Sequence, residues 1–158
     1  MPPAIRTATS ADVPAMVGLS SAKRRAYAGV LPVFWRPAAD ADTLQTAWFA
    51  HLLARDSTVA LVAEDTAGVA AFVVGMLHPA PPVYEPGGST CTVDDFCVRE
   101  EALWPTLGAA LLAQVRAQAR ARGAVQVVVV CGVHDQPKRT LLERPDLSPA
   151  SLWFTGPA

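Results

Sequence analysis

Three features of the sequence predict an α/β (α+β) fold. Two apolar runs, Thr58 to Ala63 and Val69 to Leu77, flank the turn-like stretch Glu64-Asp65-Thr66-Ala67-Gly68 and read as a β-hairpin. Two further β-rich segments, Thr90 to Val98 and Val125 to Cys131, enclose a helical stretch, and that succession favours a parallel crossover. The enclosed helix, Thr106 to Arg122, carries Leu107, Leu111, Val115 and Ala119 at helical spacing, opposite Arg116, Arg120 and Arg122.

The remaining elements follow in order. Ile5 to Thr9 is short and partly β-branched, and Thr9-Ser10-Ala11-Asp12 offers capping groups to a helix that runs from Val13 to about Tyr27. Asp40 and Asp42 open a second helix in which Leu44, Trp48 and Leu52 share one face. Pro79 to Ser89, with four prolines and two glycines, is a loop over a site. Gly123 stops the long helix. Asp135 to Arg144 makes a short last helix that Pro145 interrupts, and Ser151 to Thr155 is expected as a final strand.

A chain of 158 residues, about half apolar, suits a single domain covering 1–158. Net charge of -1 lacks the basic excess that nucleic-acid binding draws on, so no nucleic-acid partner is expected. Lys23-Arg24-Arg25 reads as a solvated helix face, with contact to a phosphorylated ligand as the alternative. The longest apolar runs fall far short of the roughly 20 residues needed to cross a bilayer, and the N-terminal residues lack a secretory pattern; no membrane partner and a cytoplasmic location are expected. Cys91, Cys97 and Cys131 have no C-x-x-C spacing, and His51, His78 and His134 are scattered, so neither a disulfide framework nor a metal site is expected.

The order of elements, together with the acidic pair in Thr92-Val93-Asp94-Asp95-Phe96-Cys97-Val98 and the turn ending at Gly108-Ala109-Ala110-Leu111-Leu112, resembles the GNAT N-acetyltransferase family over nearly the whole chain. The resemblance implies a mixed, mostly antiparallel central sheet flanked by helices, with a splayed central strand pair. It implies acetyl-CoA, or another acyl-CoA, as cofactor and an amine of a small molecule or protein as acceptor. Main-chain groups at Phe96, Cys97 and Val98 would hold the acetyl oxygen or the pantetheine arm. The phosphate-binding turn falls on Leu103-Trp104-Pro105-Thr106-Leu107-Gly108, which keeps only the final glycine of the family pattern. Trp104, Thr106, Leu107, Gly108 and Ala109 are the cofactor-binding candidates there, since a helix start presents free N–H groups and a partial positive charge to an anion. The alternative for Gly108 is close packing of the helix.

Transfer to an amine by direct attack needs a neutral nucleophile and a proton source for the departing thiolate. Asp94 matches the position of an acidic residue that resembles the proposed general base of some polyamine-acetylating members of the family and is the first candidate for base or amine-binding carboxylate, with Asp95 as the second catalytic candidate. A regular strand sends them to opposite faces, whereas a bulge changes the alternation; the structural alternative is that they cap or pair at the sheet. In the family's Asn-x-x-Ala-x-x-Leu-Tyr pattern, Asp135 stands for the asparagine and is a further cofactor-binding candidate. Lys138 replaces the alanine, Leu141 matches, and Leu142 replaces the tyrosine acid, leaving His134, Cys131 or Tyr84 as substitutes. Cys97 has no His-Asn or His-Asp partner pattern that would make it a nucleophile. Phe34, Trp35, Trp48 and His78 are candidates to line an acceptor pocket beneath the Pro79 to Ser89 loop. A catalytically impaired acyl-CoA-binding or scaffolding domain of the same fold is the alternative function, and an unrelated α/β domain a third. Leu152-Trp153-Phe154 either closes the core or covers a homodimer contact.

Overall fold

The computed structural model describes residues 4–144 and 146–158. At its centre is a five-stranded sheet in the order β1-β2-β3-β4-β5, with β1 Ala4–Thr7, β2 Thr58–Asp65, β3 Gly68–His78, β4 Ser89–Val98 and β5 Ala124–Val129. Strands β1 to β4 pair antiparallel, and β5 joins β4 in parallel. The sheet is flanked by α1 Val13–Val30, α2 Ala41–Leu53, α3 Ala109–Ala121 and α4 Gln136–Leu142. The predicted hairpin is β2–β3, and the predicted crossover is β4–α3–β5.

Both faces of the sheet are covered, which is why its central strands read as continuous apolar runs rather than alternating ones. Along β2, Val59, Leu61 and Ala63 enter a core with Leu111, Leu112, Val115 and Ala119 of α3, while Ala60 and Val62 enter a second core with Met16, Val17, Phe49 and Leu52 of α1 and α2. Gly123 holds φ at 90°, the left-handed conformation a helix stop uses, and lets the chain leave α3 directly for β5.

Of the α2 face carrying Leu44, Trp48 and Leu52, only Leu52 is buried. Phe49 and Leu52 are fully buried, whereas Leu44 and Trp48 are exposed. Leu44, Trp48 and Leu52 do recur every four residues, but the sheet is met by Phe49, whose ring stands edge-on to Phe72 at 5.6 Å. The expected final strand is also absent: Ser151 to Thr155 forms no strand, and Trp153 and Phe154 are 85% and 92% exposed, so they do not close this core. Strand β5 is therefore an edge of the sheet, with Val125 and Val128 exposed along it. The predicted interruption at Pro145 lies outside the described residues; α4 ends at Leu142. No helix among the described residues is long and apolar enough to cross a membrane.

The start of α1 is tied to the far edge of the sheet by charge. Arg6 of β1 forks onto Asp12, donating at 2.8 and 2.7 Å, and also donates to Glu64 of β2 at 3.2 and 2.5 Å. Asp12, almost wholly buried, accepts the Thr9 N–H at 2.7 Å as well. The Arg6 hydrogen bonds outweigh desolvation and lower the Asp12 carboxyl to about 2. Because that value lies below the ordinary aspartate range near 4, the stabilisation is complete above about pH 4 and disappears as pH falls through about 2. Asp12→Asn is expected to cost about 1–2 kcal/mol at pH 7, as loss of a helix cap and its charge partner does. In thermal melts recorded across that acid range, the difference between wild type and variant should shrink towards zero.

Candidate functional site

The sheet opens where β4 and β5 part. Their parallel register runs from Ser89↔Ala124 to Val93↔Val129, and a last main-chain bond joins the Val130 N–H to the Val93 carbonyl at 2.8 Å. Beyond Val93, β4 continues to Val98 paired only with β3. The splayed pair implied by the family resemblance is thus a notch bounded by Asp94 to Val98 on one side and Val130 to Asp135 on the other.

A bulge sits at the mouth of this notch. Register passes from Val73↔Phe96 to Gly75↔Val93, so Asp94 and Asp95 together oppose the single residue Val74. The extra residue cancels the strict alternation: Val93 and Phe96 both face the α3 core, and Cys97 faces the α1–α2 core. Asp94 is exposed. Asp95 is half-buried towards α2, accepting from Gln45 Nε2 at 3.2 Å, and Gln45 in turn accepts from Arg24. Burial pushes the Asp95 carboxyl above its ordinary range; Lys23 opposes that shift and Asp94 adds to it. A carboxylate of raised basicity beside an exposed one is a fit arrangement for holding or deprotonating an amine.

The opposite wall is built by the start of α4. Asp135 caps that helix, accepting the Lys138 N–H at 3.2 Å through Oδ1, while Oδ2 accepts the Tyr27 hydroxyl at 2.7 Å. The Tyr27 oxygen also accepts the Gly132 N–H at 3.2 Å. Gly132 must be glycine for this approach, because a Cβ there would stand 2.8 Å from the Tyr27 ring. Burial, followed by the Asp135 hydrogen bond, raises the Tyr27 hydroxyl far above its ordinary value, so it stays protonated. Lys138 projects between the two strands: its ammonium donates to the Val130 carbonyl at 2.8 Å and lies 3.4 Å from the Phe96 carbonyl.

The predicted phosphate turn is helical throughout. A 3₁₀ turn, Glu101–Leu103, runs into a π turn, Trp104–Gly108, and then into α3, so the helix begins at Glu101 rather than Thr106. Pro105, the second residue of the π turn, has no N–H to give the Glu101 carbonyl, which accepts the Trp104 N–H instead. Trp104 is buried with its ring edge-on to Phe96 at 4.8 Å, and Leu107 and Gly108 are buried beside it. A Cβ on Gly108 would stand 2.7 Å from the Trp104 ring and 3.3 Å from Leu141, so Gly108 has the packing role weighed as its alternative. The Ala109 N–H is engaged by the Trp104 and Thr106 carbonyls, and Thr106 alone of the turn's polar side chains is exposed, its hydroxyl 3.3 Å from the Leu103 carbonyl.

Other candidates are dispersed. The Pro79 to Ser89 loop lines a cleft of about 780 Å³ with Asp56, His78 and Arg122, at the end of β4 away from the notch. His78 reaches Thr92 Oγ1 at 2.6 Å, Trp35 packs edge-on to Tyr27 with Phe34 behind it, and Trp48 stacks on His51, so these side chains do not form one acceptor pocket. Tyr84 belongs to the distant cleft and His134 is exposed. Burial raises the Cys131 thiol to about 11 and also raises Cys97, leaving both as thiols near neutral pH. Among the described residues no three His, Cys, Asp or Glu side chains gather as a metal cluster. Sequence reasoning missed Tyr27 and gave Lys138 no role beyond a replaced alanine. The only local signal for Tyr27 was its position one turn after Lys23, whose ammonium lies 5.9 Å from its ring. Tyr27→Phe is expected to cost about 1–3 kcal/mol, since Asp135 and the Gly132 N–H both lose a partner; urea unfolding at pH 7 measures it.

No family model and no curated protein matches this chain. Solved structures do. A protein from Clostridium acetobutylicum, named as a predicted acetyltransferase and crystallised with acetyl-CoA, is 17% identical with a TM-score of 0.73, covering 98% of this chain and 96% of its own. The ribosomal-protein-alanine N-acetyltransferase of Brucella melitensis biovar Abortus is 19% identical with a TM-score of 0.69, over 100% and 99% of the two chains. An aminoglycoside N-acetyltransferase in complex with CoA is 10% identical with a TM-score of 0.73, over 99% and 94%. At these identities the likeness is one of fold, and with its mixed sheet and parted β4–β5 pair this chain has the fold of the GNAT N-acetyltransferases.

Proposed function

We propose that residues 1–158 form one cytoplasmic domain that transfers an acetyl group from acetyl-CoA to an amine of a small molecule or protein. The observation that carries the reading is the parting of β4 from β5 after Val93. It leaves the β4 main chain from Asp94 to Val98 without a strand on one side, and an extended arm bearing amides fits such an edge as an added strand does. Two structures of the same fold hold acetyl-CoA or CoA, which supports this choice of ligand.

Acetyl-CoA would supply the activated acyl group as a thioester. Main-chain groups of Phe96, Cys97 and Val98 hold its arm, and Thr106 meets the phosphate end on a turn kept rigid by Trp104, Leu107, Gly108 and Ala109. Asp94 binds the incoming amine at the exposed mouth, and Asp95 takes its proton, aided by a basicity that burial has raised. Tyr27, its hydroxyl committed to Asp135, holds the start of α4 against the notch, and water is the proton source for the departing thiolate in place of the missing tyrosine at Leu142. A homodimer covering the β5 edge and the Leu152-Trp153-Phe154 segment is part of the same proposal.

A second reading, an acyl-CoA-binding or scaffolding domain without turnover, is favoured by Leu142, an apolar side chain where the family pattern has its tyrosine acid. The exposed Glu100 and Glu101 put carboxylates at the helix start, where a phosphate would want positive charge, and so lower the CoA affinity expected under either reading. Calorimetric titration with acetyl-CoA and with CoA tests the binding claim, and saturable binding is expected. Absence of saturation at millimolar ligand overturns it. Changing Glu100 and Glu101 to Gln is expected to tighten CoA roughly twofold to fivefold per charge, from about 0.3–1 kcal/mol each. Where an amine panel releases CoA thiol, Asp95→Asn is expected to slow release by about 10²–10⁴-fold with CoA affinity unchanged; release at the wild-type rate would assign the reaction to another base.

A further inference from the structure

Lys138 is 1% exposed, yet among the described residues no carboxylate lies within ion-pair distance of it. Its ammonium is surrounded instead by the two main-chain carbonyls of Val130 and Phe96 and by the rings of Phe96 and Trp104, whose centroids are 5.3 and 5.8 Å away. Burying an ammonium without a counter-ion is costly, and burial accordingly lowers its pKa. The arrangement has one clear return: the Phe96 carbonyl of β4 and the Val130 carbonyl just past β5, on the two sides of the gap, are both given a donor. The side chain cannot easily leave the notch while α4 keeps its place, because the Asp135 cap and the Tyr27 bond fix the first turn of the helix that carries it.

We propose that Lys138 is an internal occupant of the β4–β5 notch, taking the main-chain acceptors and the space that the arm of an acyl-CoA would use, and thereby setting this chain's affinity for the cofactor. The inference rests on the acetyl-CoA reading for the identity of the ligand but not for the closure of the notch. The arm of CoA brings amide N–H donors of its own, so ligand and lysine compete for the same kind of partner at Phe96. Acyl-CoA then enters only when the Lys138 side chain swings clear, and the cost of moving it is subtracted from the binding free energy. Lys138 is a determinant of affinity here, not a catalytic group.

The test is calorimetric titration of the full chain with CoA as probe, for wild type, Lys138→Ala and Lys138→Met. Lys138→Ala vacates the notch and frees both carbonyls, so CoA is expected to bind at least tenfold more tightly than to wild type. Lys138→Met keeps the bulk without the donor and should gain less; because it leaves no cavity, it also serves if the alanine variant does not fold, and any gain over wild type then supports the proposal. If both folded variants bind CoA with wild-type affinity or more weakly, the lysine is a bystander or a ligand of the cofactor, and the proposal fails while the acetyl-CoA reading stands. If wild type does not bind and Lys138→Ala does, the occupant is real and the wild-type chain is not an acetyl-CoA enzyme. Failure of all three to bind overturns both.

Discussion

A main-chain carbonyl in the middle of a sheet has to find a donor, and where β4 parts from β5 the two strands no longer supply one to each other. Up to Val93 each strand serves the other, and the Val130 N–H makes the last such bond. Past that point the demand falls on side chains from elsewhere, and the Lys138 ammonium meets it for Phe96 and Val130. The positions of α4 and of the end of α1 follow from this. Asp135 caps α4 and holds Tyr27, and Gly132 leaves room for the Tyr27 ring against the chain leaving β5. Three segments far apart in sequence are locked around one gap in the sheet.

Charge around the notch is arranged in two layers. At the mouth, the bulge sends Asp94 to solvent and Asp95 towards α2, where Gln45 and the Lys23 and Arg24 charges temper its burial. In the interior, the Lys138 ammonium sits among carbonyls and aromatic rings, with no carboxylate within ion-pair distance among the described residues. The two layers oppose each other chemically. The mouth suits a cationic or amine acceptor, while the interior presents a donor where an extended ligand would bring donors of its own.

The turn before α3 illustrates how packing redirects a segment. A phosphate-binding turn needs open backbone, and open backbone needs small residues. Trp104 and Leu107 instead contribute large apolar side chains, and their burial against Phe96 and the α3 core draws the segment into helix as far back as Glu101. Gly108, which the sequence alone leaves between two roles, then serves as the seat for the Trp104 ring and Leu141. The result is a firmly packed helix start whose first turn carries acidic side chains.

Much of the fold was legible in the sequence because its signals are local. The β2–β3 hairpin, the β4–α3–β5 crossover, the stop at Gly123 and the acidic pair in the central strand are written in runs and spacings of a few residues, which short-range sterics and burial translate directly. The site was legible only as a location. Which face of α2 meets the sheet, whether Leu152-Trp153-Phe154 pairs or stands free, and how Asp95 turns at the bulge depend on partners supplied by other elements. The bond between Tyr27 and Asp135 spans 108 residues, and no periodicity around either position announces it. Lys138 is the clearest case. On a helical surface it reads as one more solvated cation, and only the tertiary structure, by opening a gap between β4 and β5 beneath it, turns it into a buried donor for two carbonyls.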